Sequence, residues 1–134
     1  MKYAAYGALI AVGLLLATKP AAAHHSFAAE FDIEKQVTLK GVITKVEWVN
    51  PHVYVYLDAK DENGKITAWS LESLSTAAIR RGGVTRNMLG LGQTVNVLAY
   101  RAKDGSNFAF LRKITFPDGH VVEIFLGDAN AVPQ

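Results

Sequence analysis

The chain has 134 residues, 14 Lys and Arg against 12 Asp and Glu, half of its residues hydrophobic and no cysteine. A formal net charge of +2 is far from the basic footprint that non-specific nucleic-acid binding needs. The lack of cysteine excludes disulfide staples, thiol nucleophiles and a lipid-anchored N-terminal cysteine.

Residues 1–23 read as a secretory signal peptide. Lys2 gives a short positive start, Ala4 to Ala17 is an uncharged apolar run, Thr18-Lys19-Pro20 breaks it, and Ala21-Ala22-Ala23 offers small residues for cleavage. The run falls short of the ~20 apolar residues that span a bilayer. Cleavage after Ala23 would make His24 the mature N-terminus and place the protein in the periplasm or outside the cell. Lys2 and Lys19 leave with the leader, so the mature chain balances 12 basic against 12 acidic residues. Residues 24–134 suit one domain, with no membrane span and no nucleic-acid partner expected.

Residues 24–36 form an N-terminal arm whose apolar points are Phe27, Phe31 and Ile33. From Val37 the pattern turns to β. Val37 and Leu39 alternate with polar residues, then Val42, Thr44, Val46 and Trp48 continue in the opposite phase, which predicts a bulge at Gly41 in a long, bent first strand. After Pro51, strand 2 runs from His52 to Ala59, with Val53, Val55 and Leu57 on one face and His52, Tyr54 and Tyr56 on the other. Asp61-Glu62-Asn63-Gly64 is a hairpin turn, and strand 3 follows at Lys65 to Leu71, carrying Trp69. Ser73 or Ser75 caps a short helix through Arg81, which Gly82-Gly83 ends. Thr85 opens a second turn that closes at Gly90. Strands 4, 5 and 6 are expected at Thr94–Tyr100, Asn107–Phe116 and His120–Leu126, with a flexible tail over 127–134. The fold class is mainly β. The pattern fits a small OB-like Greek-key β-barrel of five to six strands over 37–126, with one short helix between strands 3 and 4. A plain antiparallel sandwich shares much of that pattern.

Catalytic patterns are scarce. There is no Gly-x-Ser-x-Gly elbow, Glu30 with Asp32 and Asp61 with Glu62 lie in arm or turn contexts, and Gly90-x-Gly92 precedes a strand rather than a helix. Binding is the better expectation than catalysis. His24 and His25 are the most informative pair. An N-terminal histidine offers its α-amine together with ring Nδ1 as a chelate, and a second imidazole completes the T-shaped nitrogen set called a histidine brace. Such a set suits Cu(II). The third nitrogen can come from His52, from His120 or from His25 in another geometry; the metal-ligand set read here is His24, His25 and His52, with copper as its cofactor. A plainer reading is that His24-His25 is only a cleavage-compatible start and that His52 serves its turn. The competing function is an interaction module for an envelope protein or glycan, without metal. Its face would be the Tyr54 and Tyr56 row on strand 2, since strands 2 and 3 of OB barrels commonly present the ligand surface. Arg80-Arg81 and Arg101 can meet an anion, although arginines near a helix end also answer the helix dipole.

His24-His25-Ser26-Phe27, Phe31-Asp32, Val37-Thr38-Leu39-Lys40-Gly41 and above all Val46-Glu47-Trp48-Val49-Asn50-Pro51-His52 resemble a family of small exported bacterial proteins classed as a domain of unknown function. Tyr100 to Asn107 and Leu111 to Gly119 fit it too. The resemblance implies an envelope location and a small β-barrel, and no activity. Its motif singles out His24, His25, Trp48, Asn50, Pro51 and His52; Trp48 and Asn50 join Tyr54 and Tyr56 as candidate ligand-binding residues. Glu72-Ser73-Leu74-Ser75 departs from the family pattern, which is richer in glycine there.

Overall fold

The computed structural model describes residues 27–124. A single helical turn, α1 (Phe27–Glu30), leads straight into β1 (Phe31–Glu47). Next come β2 (Tyr54–Lys60), β3 (Ile66–Glu72), a short helix α2 (Thr76–Arg81), a 3-10 turn (Arg86–Met88), β4 (Thr94–Ala102), β5 (Phe108–Thr115) and β6 (Val121–Glu123). The protein is mainly β with few short helices, and the helix falls between the third and fourth strands as the capping residues predict. Ser75 accepts a hydrogen bond from the Ala78 N–H at 3.2 Å at the start of α2, and Gly83, at φ 96°, lies just beyond its end.

The six strands form one sheet in the order β3-β2-β1-β4-β5-β6. Pairing is antiparallel except for β3 with β5, where Ser70, Leu71 and Glu72 lie beside Phe108, Ala109 and Phe110 in parallel. That seam is only three residue pairs long, so the sheet curls toward a ring without clearly closing it.

One strand serves two ladders. The stretch from Phe31 to Val42 pairs with β4, and that from Gly41 to Glu47 pairs with β2, overlapping at Gly41 and Val42. The first strand is therefore long and bent, as expected, but its bulge is elsewhere. Gly41 is in register, opposite Ala59 on one side and Val95 on the other. The extra residue is Thr44, because Ile43 faces Leu57 and Lys45 faces Tyr56. Gly41 answers a different demand: a Cβ there would come within 2.9 Å of the Asp58 carbonyl oxygen. The strand also begins at Phe31, inside the segment read as an arm, and its pairing with β4 is interrupted between Asp32 and Gln36.

Val53, just before β2, and Val55 and Leu57 within it point inward as the alternation predicts, meeting Ile43, Leu71, Val97, Leu111 and Ile114 in a core that α2 closes with Ile79. Among the described residues no helix is long and apolar enough to cross a membrane.

Candidate functional site

The site is built by the β2–β3 hairpin. Asp61 Oδ1 accepts from the Asn63 and Lys65 N–H groups, each at 2.9 Å, and Gly64 takes φ 82°, so the turn is tight. Strand pairs then fall symmetrically about Asn63, which puts Tyr54 opposite Glu72. Pairing continues past the strand ends, where the Ser73 N–H donates to the Val53 carbonyl at 2.8 Å and the Val53 N–H to the Leu74 carbonyl at 2.9 Å. His52 is thereby held beside Ser73.

His52 Nδ1 lies 3.0 Å from the Ser73 carbonyl oxygen and 3.4 Å from Glu72 Oε1. A carbonyl oxygen only accepts, so in the neutral imidazole the hydrogen is on Nδ1 and the lone pair on Nε2. The His52 side chain is 37% exposed and Nε2 has no hydrogen-bond partner among the described residues. Glu72 is 8% exposed. Burial pushes its carboxyl above the ordinary range; the His52 charge opposes this, Glu30 adds to it and the Tyr54 hydrogen bond opposes it. The Tyr54 hydroxyl donates to Glu72 Oε2 at 3.2 Å, and burial together with the Glu72 charge pushes that phenol up to about 12. The Tyr54 ring also stacks on Phe108, with centroids 6.5 Å apart.

The first described residues dock at the same end of the sheet. Phe27 packs on Phe110 at 5.0 Å, Phe31 at 5.3 Å and Tyr100 at 6.0 Å between ring centroids, and Phe110 is the register partner of Glu72. Lys103 holds this turn in place: its N–H donates to the Glu30 carbonyl at 2.9 Å and its ammonium to the Ala28 carbonyl. A cavity of about 250 Å³ opens beside it, lined by Ala29, Glu30, Ala102, Lys103, Asp104 and Phe108.

The other candidates separate. Tyr56 shares the outer face with Tyr54, but its hydroxyl donates to Glu47 Oε2 at 2.9 Å while Lys45, paired with Glu47, sits 5.0 Å from the ring centroid. Lys45 first and Tyr56 second hold the Glu47 carboxyl below its ordinary range. Trp48 packs against the core with the Arg86 guanidinium 5.6 Å from its ring. Asn50, joined to Pro51 by a cis peptide bond, accepts from Thr76 N–H at 3.1 Å and Thr76 Oγ1 at 3.0 Å, tethering the strand 2 entry to α2. Arg101 lies over Trp69 and donates to the Gly105 and Ser106 carbonyls, so it braces a turn. His120 stacks on Phe116 just past the far end of β5. From Phe108, the neighbour of Tyr54, that is roughly 25 Å along the strand, too far to meet His52.

His24 and His25 lie outside the described residues. Among the described residues no three His, Asp or Glu side chains gather to hold a metal. What they supply is one oriented imidazole, a buried carboxylate beside it and the docked turn Phe27–Glu30. Glu72 and the Ser73 carbonyl are the partners that sequence reasoning missed. The turn at Asn63 carried the signal, since symmetry about it sets Glu72 against Tyr54.

No curated protein and no solved structure matches the chain. A family model does, over residues 11–110, and the chain belongs to that family of unknown function, DUF6152.

Proposed function

We propose that the protein is an exported binding protein of the periplasm, freed from a signal peptide after Ala23, that takes up copper through its new N-terminus. The His24 amine and ring supply two nitrogens, His52 Nε2 the third, and His25 stands next to them in the chain. The observation that carries this reading is the His52 ring: its Nδ1 is engaged by Ser73, and its other nitrogen has no hydrogen-bond partner among the described residues, on a side chain 37% exposed. Metal-binding histidines are oriented in this way by a carbonyl or carboxylate on the second nitrogen.

Chain reach supports the pairing. Phe27 follows His24 by three positions, and an extended chain covers at most ~3.6 Å per residue, so His24 can lie up to about 10 Å from a residue whose ring packs on Phe110, the register partner of Glu72. An OB-like topology fits the same picture. Following the pairings β1-β2-β3-β5-β4 leads back to β1, with a helix between β3 and β4, and the histidine lies where β2 and β3 present an outer face.

The test uses untagged protein isolated from the periplasm, its start fixed by intact mass. Cu(II) titration should give a stoichiometric EPR signal with nitrogen hyperfine structure that survives a competing chelator. One residue added before His24, or His52→Ala, should lower affinity tenfold or more. Copper stripped at once by the chelator would retire the reading and leave the Tyr54 and Tyr56 face as the binding surface, for an envelope protein or a glycan.

A further inference from the structure

We infer that Glu72 is the positioning residue for His52, holding the imidazole so that Nδ1 keeps its hydrogen and Nε2 is presented outward as a donor. This rests on the reading of His52 as a metal ligand and adds a residue to that site. The geometry is a chain of contacts through three strands. Phe108 on β5 stacks on Tyr54 of β2, the Tyr54 hydroxyl donates to Glu72 Oε2 on β3, and Glu72 Oε1 lies 3.4 Å from His52 Nδ1. The Ser73 carbonyl, one residue on, shares the same nitrogen at 3.0 Å.

One flank of the ring therefore faces the Ser73 carbonyl at hydrogen-bond distance and the Glu72 carboxylate at ion-pair distance, and the described residues place no hydrogen-bond partner on Nε2. The two ring nitrogens face different directions, so a carboxylate at Nδ1 acts on an ion at Nε2 through the ring. A carbonyl alone would fix the tautomer. A carboxylate adds negative charge, which makes the imidazole a better donor and favours a cation on its outer nitrogen. A glutamate at this position is costly unless its charge is paired, because it is almost fully buried. Tyr54 fixes the carboxylate in place by occupying its second oxygen.

The experiment has two arms on the processed, untagged protein. In the first, ¹⁵N-histidine-labelled, metal-free protein is studied by long-range ¹H–¹⁵N NMR. The neutral His52 ring should carry its hydrogen on Nδ1; a hydrogen on Nε2 overturns the inference whatever copper does. In the second, Cu(II) affinity is measured by chelator competition. Glu72→Gln should bind about 10- to 100-fold more weakly, the range for losing an outer partner of a ligating histidine, with the nitrogen hyperfine pattern of the bound ion retained. Tyr54→Phe, which keeps the ring stack and removes only the hydroxyl, should weaken binding severalfold in the same direction, and it carries this arm if Glu72→Gln does not fold. Affinity within twofold of the wild type in the folded variant overturns the inference and leaves the copper reading standing. A wild-type protein that holds no Cu(II) overturns the copper reading and this inference with it, a result distinct from wild-type affinity in a folded variant, which overturns the inference alone.

Discussion

Tyr54 and Glu72 face each other across the β2–β3 ladder, and the tyrosine hydroxyl donates to the glutamate's Oε2 at 3.2 Å. The bond ties a half-buried phenol to a buried carboxylate, so each group's charge depends on the other's. It also explains why the aromatic row of strand 2 is not two equal tyrosines. Tyr54 belongs to the histidine site, while Tyr56 belongs to an exposed pair with Glu47 and Lys45.

That difference predicts a late-titrating tyrosine. Tyr54 ionises at about 12 in the folded protein against an ordinary value of 10.0, chiefly because it is buried and then because Glu72 is negative. Between these two values the folded state keeps a proton that the unfolded state releases, so stability contributed by Tyr54 is intact below pH 10 and falls as pH rises toward 12. Spectrophotometric titration of phenolate should show one group ionising last, after Tyr56, whose phenol the Glu47 hydrogen bond also raises, and Tyr54→Phe should remove it. A variant whose last-titrating tyrosine is unchanged would place the shift elsewhere.

Much of this arrangement is legible in the sequence because the physics is local. The alternation of Val53, Val55 and Leu57 gives the inward face of β2, Asn63-Gly64 gives the hairpin, and Ser75 with Gly83 brackets the helix. What resists reading is set by neighbours distant in sequence. Gly41 and Thr44 lie three residues apart, and only the packing of Asp58 against the strand reveals that the first is a close approach and the second the bulge. Phe31 looks like part of an arm until β4 supplies its partner, Ala102. Glu72 draws no notice in the sequence because its neighbours, Tyr54 on β2 and Phe110 on β5, are brought in from elsewhere in the chain.

Gly41→Ala isolates the close approach. The new methyl would sit 2.9 Å from the Asp58 carbonyl oxygen and 3.2 Å from the Ala59 Cα, and both are backbone atoms of a paired strand that cannot swing aside. Overpacking of this kind costs about 1–3 kcal/mol. Urea denaturation should show a lower midpoint with an unchanged slope. Thr44→Ala, which adds no atom and loses one hydrogen bond to the Tyr56 carbonyl, should cost less. The reverse order would mean that the bulge, and not the close approach, limits the strand.

Asn50→Ala tests whether the Asn-Pro-His segment is held by the helix it touches. Two hydrogen bonds from Thr76 end on Asn50 Oδ1, at the first turn of α2, and the substitution leaves both donors to water. Loss of a side chain that caps a helix start costs about 1 kcal/mol. Asn50→Asp keeps the acceptor and adds a negative charge near the helix N-terminus, which is favourable there, so it should retain most of the stability in the same denaturation assay. Equal losses for both variants would show that the amide group itself, and not its acceptor oxygen, is needed.

Phe27→Ala separates the docked turn Phe27–Glu30 from the sheet beneath it. Three aromatic rings surround Phe27, yet it is only partly buried, so the loss of stability should be about 2 kcal/mol, below the range for fully buried phenylalanines. Its larger effect should be on copper. In the proposed copper site, loss of this anchor removes a constraint between the His24 amine and the His52 ring, and the effective concentration of one near the other drops. Chelator competition should therefore show affinity reduced tenfold or more while circular dichroism still reports the β-sheet. His120→Ala, at the opposite end of β5, should leave affinity unchanged. A Phe27→Ala protein that keeps wild-type copper affinity would mean that the N-terminal histidines bind without His52, as a free peptide does, and the oriented imidazole would then need another use.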